Sequence, residues 1–225
     1  MVTRSALESY YSAILRVLLT RLQNSQTEAF VLRFVRFYHF FSAKVESGLG
    51  ADLFVGFAGR VQEKYVDHRL CSALLSLSSV FVPVYLNIIL PETQKLLRPL
   101  DRKTAVISLT KTLADSAAFA ERYKKGWAFT CEALLKLLEN PPEPTTSEDA
   151  ITEQDPDDMS FGVGFTQLTT IKRPTQDRWP EITDVKKWVG EYMRAANARQ
   201  NGKISTFAQE RLSSEAKAVF GTYVN

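Results

Sequence analysis

The stretch SQTEAFVLRFVRFYHFFSAK, residues 25–44, decides the fold. It opens with a serine followed three positions later by a glutamate. That is the pattern of a capping box, in which Ser accepts from a free backbone N–H and Glu reaches back. Behind it Phe30, Phe34, Phe37 and Phe41 form an apolar stripe at helical spacing, with Arg33, Arg36 and Lys44 elsewhere on the helix. Such a helix must bury one face against a neighbour, and the neighbour is at hand. Residues 5–8, SALE, repeat the box, and Ile14, Leu15, Leu18, Leu19 and Leu22 keep the same spacing.

Working outward, Gly48 and Gly50 punctuate the chain, and ADLFVGFAGRVQEK (51–64) predicts a third helix weakened by Gly56 and Gly59. VPVYLNIILPETQKLL (82–97) predicts a fourth, which Pro91 is expected to bend. Asp101 is the expected N-cap of RKTAVISLTKTLAD, in which Val106, Leu109 and Leu113 share a face. The segment 120–140 predicts another helix, stopped by Pro141 and Pro142. Pair starts near Ser5, Gly50 and Asp101 recur at forty to fifty residues, the period of HEAT or armadillo arrays. No strong β alternation competes. The fold expected is all-α, a HEAT-repeat solenoid of antiparallel helix pairs over residues 1–139. Residues 161–225 are a terminal helical segment: Val185, Trp188, Val189, Tyr192 and Met193 mark the apolar side of one helix, and SSEAKAVFGTYV forms a short last one.

Between these parts, residues 140–160 hold seven acids and no Lys or Arg. The chain has 225 residues with 28 basic and 25 acidic side chains, so 18 acids remain against the 28 bases elsewhere. The segment reads either as a solvated linker or as a loop that meets a basic partner through Glu148, Asp149, Glu153, Asp155, Asp157 and Asp158. The net charge of +3 is too mild to imply nucleic acid. Cys71 and Cys131 form no CxxC pair, which suits a reducing compartment. Residues 70–90 carry no charge and could cross a bilayer, yet four serines, Pro83 and Asn87 make the hydropathy marginal. No stable membrane insertion is expected.

No catalytic constellation is present. There is no GxSxG, Walker loop or HExxH, and GLGADLFVG fails the GxGxxG spacing. His39 and His68 lie apart without evident partners, and Cys131 falls on an apolar helix face. The acidic run lacks the D-x-[DN]-x-[DN]-G order of a calcium loop. The chain reads as a non-enzyme with no cofactor and no metal site.

Several segments in order carry a resemblance: LPETQKLLRPLDRKTAVISLTKTLAD (90–115), RYKKGW (122–127), LLKLLENPPE (134–143), the acidic run, then GFTQL (164–168). Together with the phenylalanine-rich helix they resemble the C-terminal part of the CAS/Cse-type importin-alpha re-exporters, of the karyopherin-beta superfamily. The resemblance implies a HEAT-repeat exportin that binds importin-alpha cooperatively with Ran in its GTP form and shuttles between nucleus and cytoplasm. Catalysis then belongs to Ran, and the grip on Ran-GTP lies mainly in N-terminal repeats outside this chain, which corresponds to roughly the last quarter of the family protein. The acidic run becomes an inter-helix insertion between late repeats. A generic helical-repeat scaffold without a transport role is the alternative. One departure from the family pattern stands out: residues 65–79 look like an insertion, since GRVQEK would otherwise run straight into VFVPVYLNIILPETQ.

Overall fold

The computed structural model describes residues 4–24, 27–45, 49–64, 84–121, 124–140 and 177–224. Helices α1 (Arg4–Asn24), α2 (Glu28–Lys44) and α3 (Leu49–Lys64) come first. A π-helical turn (Tyr85–Ile89) leads into a short α4 (Leu90–Gln94), followed by α5 (Pro99–Asp115), α6 (Ala117–Glu121) and α7 (Lys124–Glu139). Last come α8 (Val185–Arg199), α9 (Lys203–Arg211) and α10 (Ser214–Val224). No strand occurs among the described residues. The candidate insertion at 65–79 and most of the apolar run 70–90 lie outside them.

Helix α2 is the hinge of the packing, touching α1, α3, α4 and above all α5. Its phenylalanine stripe is therefore only part of its apolar surface. Tyr11 of α1 stacks on Phe41 with ring centroids 3.7 Å apart and tilts against Phe37 at 6.2 Å. The fully buried face turns away from that seam and consists of Phe34, Val35, Tyr38, His39, Ser42 and Ala43. On α1 the buried stripe is Tyr11, Leu15, Leu19 and Leu22, while Ile14, expected inside, is 45% exposed beside Tyr10 and Val17.

Other boundaries shift for identifiable reasons. The backbone N-cap of α2 is Thr27, so the serine of the predicted box falls outside the described residues. Gly50 lies inside α3, where a Cβ would come within 2.6 Å of the Ser42 backbone. It permits α2 and α3 to approach rather than ending a helix. Pro91 has no N–H for the carbonyl one turn back and crowds it. The chain widens just before it: the Leu90 N–H reaches Tyr85 O in the π turn. Helix α5 starts at Pro99, with Arg98 at the cap position, so Asp101 sits in the first turn and pairs with Arg36 at 2.8 Å instead of capping. Buried on nearly every side between α2, α7 and α8, α5 is built from small residues, and Thr110 and Thr112 return their hydroxyls to carbonyls four residues back.

Helix ends are closed from a distance. Asp52 of α3 accepts from Ser116 Oγ and from the Ala117 and Ala118 N–H groups at the start of α6. Arg102 of α5 donates to Leu137 O and Asn140 O at the end of α7. Helix α9 follows α8 through a turn in which Asn201 and Gly202 take φ of 53° and 80°. Trp127 of α7 meets Phe207 of α9 and Phe220 of α10 edge-on. The same continuous core holds Leu134 of α7 and Val189 and Met193 of α8.

A candidate partner-binding surface

Residues 177–184 form a non-helical strap laid over the seam of α2 and α5. Trp179 and Ile182 enter this seam against Ala43 and Ile107, making a small apolar cluster separate from the main core, with Phe40 and Trp188 beside it. Lys103 of α5 fastens the strap twice, donating to Asp177 Oδ2 at 2.6 Å and to Trp179 O at 2.7 Å. The other oxygen of Asp177 accepts the Trp179 N–H at 2.9 Å. These two interactions, Lys103 foremost, hold the Asp177 carboxyl below the usual carboxylate range. The Arg178 guanidinium lies 4.2 Å from the centre of the Phe40 ring.

Open clefts of about 270 and 280 Å³ flank the strap. One is lined by Arg36, Phe40, Asp101 and Arg178, the other by Lys44, Lys111, Glu181 and Trp188. Both are small and open.

Between α2, α4 and α5, His39 is a satisfied core residue. Thr93 donates its hydroxyl to Ile89 O, so its oxygen accepts from His39 Nε2 at 2.7 Å. That fixes the proton on Nε2 and leaves Nδ1 to accept from Ser108 Oγ at 3.1 Å. Burial pushes the imidazole pKa down to about 3. Cys131 is fully buried, and burial raises its thiol pKa. Neither is a reagent. Among the described residues no group of three or more His, Cys, Asp and Glu could hold a metal ion, and no helix is long and apolar enough to cross a membrane.

The terminal helices are bolted to the array by tyrosine–carboxylate pairs. Tyr192 donates to Asp115 at 2.5 Å, Arg199 adds a second contact to the same carboxylate at 3.0 Å, and Gln200 donates to Ala114 O. Tyr223 donates to Glu139 at 2.5 Å, with Lys186 at 3.4 Å. Burial first and Asp115 second push the Tyr192 hydroxyl up to about 12.

The acids Glu148, Asp149, Glu153, Asp155, Asp157 and Asp158 lie outside the described residues. The groups brought together instead, Lys103, Asp177 and Trp179, were not singled out from sequence. The available signal was an aromatic flanked by Asp and Pro, in a stretch too proline-rich to be a helix.

The family model described as CAS/CSE protein, C-terminus, matches residues 1–223. The chain belongs to the CAS/CSE family. Over 223 residues it is 31% identical to the importin-alpha re-exporter of Schizosaccharomyces pombe, covering 96% of this chain and 22% of that protein. Exportin-2 of Xenopus laevis is 26% identical over 212 residues, 93% of this chain and 20% of its own length. A solved structure, the exportin Cse1 in its cargo-free, cytoplasmic state, superposes with a TM-score of 0.66 at 23% identity, over 99% of this chain and 21% of its own. That likeness establishes the all-α helical-repeat fold of the CAS/CSE C-terminal region. The chain spans about a fifth of the length of the curated relatives it matches.

Proposed function

We propose that this chain is the C-terminal part of a nuclear export receptor that returns importin-alpha from nucleus to cytoplasm in a Ran-GTP-dependent complex. The observation that carries this is the collinear match of 96% of the chain to a protein named importin-alpha re-exporter. Ran-GTP is held mainly by repeats outside these 225 residues, and the receptor shuttles through the nuclear pore without catalysing a reaction itself. The helical repeats occupy 1–139, the acidic inter-helix loop 140–160 and the terminal segment 161–225. Within the loop, Glu148, Asp149, Glu153, Asp155, Asp157 and Asp158 offer negative charge to a basic partner.

The test is a chimera in which this chain replaces the matching fifth of the Schizosaccharomyces pombe re-exporter. Expressed as the only re-exporter, it should keep importin-alpha cycling, and purified, it should retain importin-alpha in the presence of GTP-loaded Ran. A chimera that is soluble and monodisperse yet leaves importin-alpha trapped in nuclei would overturn the reading. Retention of other proteins but not importin-alpha would favour a generic helical scaffold.

A further inference from the structure

We propose that the α2–α5 seam is a recognition groove for an extended acidic–aromatic peptide, and that residues 177–184 are its built-in occupant. This stands on the geometry of the strap and does not depend on the transport reading. The strap displays the chemistry the groove selects. An acidic residue reaches Lys103, the residue two positions on places an indole between Ala43 and Ile107, and an aliphatic side chain three further on completes the contact. Lys103 reads backbone as well as side chain, through Trp179 O. An extended peptide carrying Asp-x-Trp-x-x-Ile can satisfy both.

Two observations make the occupant exchangeable. Trp179 and Ile182 share their buried cluster only with Ala43 and Ile107 and meet the main core through Val185 and Trp188 alone, so lifting them uncovers the seam without removing a residue of the main core. The polar fastening is reached from its acidic end: the Asp177 side chain is 33% exposed against 13% for Lys103, and clefts open on both sides of the strap. An incoming segment displaces Asp177 and Arg178 first, at the exposed end of the strap, and then replaces the indole contact in kind. Competition of this sort is mass action between a tethered and a free ligand for one site.

The experiment uses the full chain and a fluorescently labelled peptide, DRWPEITD, identical to residues 177–184. The strap is released by Asp177→Ala with Trp179→Ala. The released variant should bind the peptide saturably and at least about ten-fold more tightly than the natural chain, because the tethered competitor is gone. Adding Lys103→Met should return binding to the natural level, and a scrambled peptide should not bind. A released variant that keeps its helical circular dichroism but binds no more tightly than the natural chain would show the strap to be a fixed staple and overturn the proposal. If the double variant loses its helical signal, Asp177→Asn alone decides. It removes the charge that pairs with Lys103 and leaves one acceptor for two donors, so an intermediate gain in peptide affinity supports the proposal and unchanged affinity overturns it.

Discussion

Two glycines of α3 make opposite predictions from one substitution. Gly50→Ala and Gly56→Ala both replace the worst non-proline helix former with the best, a gain of about 1 kcal/mol at Gly56 in the helix interior and at most that at Gly50, the second residue of the helix. At Gly56 the new methyl meets nothing within 4 Å among the described residues, so that gain survives. At Gly50 it would stand 2.6 Å from Ser42 Cα and 3.3 Å from Phe41 O. The obstacle is backbone of α2, which cannot rotate aside, so the two helices must separate in a packed core. Overpacking of this kind costs about 1–3 kcal/mol. A rigid neighbour puts the cost near the upper end, leaving Gly50→Ala destabilised by about 2 kcal/mol after the propensity gain. For a chain of this size each kcal/mol moves the melting temperature by about 2–4 °C. Thermal melts followed at 222 nm should therefore show Gly56→Ala about 2–4 °C above and Gly50→Ala about 4–8 °C below the natural chain. A Gly50→Ala protein that melts at or above the natural temperature would refute the close approach of α2 and α3.

Three further outcomes are expected. His39 stays unprotonated in the folded chain down to about pH 3, whereas its ordinary value is 6.5, so the unfolded chain takes up the extra proton as pH falls. The stability this contributes is intact above pH 6.5 and is lost progressively between 6.5 and about 3, with a limiting slope of about 1.4 kcal/mol per pH unit. Urea midpoints at pH 7.5 and 5.5 should diverge for the natural chain and less so for His39→Gln; equal pH slopes would count against a neutral buried imidazole. Asp115→Ala and Tyr192→Phe should be non-additive in denaturant titrations by about 1 kcal/mol, since each removes the Tyr192–Asp115 bond, and additivity within about 0.3 kcal/mol would mean that the bond contributes nothing. Changing Glu148, Asp149, Glu153, Asp155, Asp157 and Asp158 to Ser or Asn in the complete receptor should slow importin-alpha association at low salt and converge with the natural rate as salt rises. Equal on-rates at low salt would reduce the run to a solvated connector.

How much of this was legible in the sequence depends on where the determining partner lies. Periodicity and proline placement act within one or two turns, so the helices, the distortion before Pro91 and the buried Cys131 could be read directly. Whatever is fixed across the packing could not. Asp101 has the composition of an N-cap, but Pro99 supplies a better first turn, and Arg36 of another helix takes the carboxylate. Ile14 has the spacing of a core residue, yet α2 meets α1 through Tyr11 and leaves Ile14 at the edge of the buried stripe. His39 looked partnerless because Thr93 and Ser108 are 54 and 69 residues away. Helix α9 escaped because KISTFAQER has few apolar residues and a start defined by the Asn201–Gly202 turn alone. The strap escaped for the same reason as His39: its fastening to Lys103 spans 74 residues.

That separation has a consequence during synthesis. Trp179 leaves the ribosome 72 residues after Ile107, the group it covers. At elongation rates of about 5–20 residues per second, the α2–α5 seam waits uncovered for roughly 4–14 s. Throughout that interval Ala43, Ile107 and the Phe40 ring face the cytosol as a small greasy slot, open to whichever aromatic segment passes first. A growing chain of this kind is open to wrong partners in a narrow and datable window. Slowing translation between codons 107 and 179 should lengthen that window without altering the finished protein.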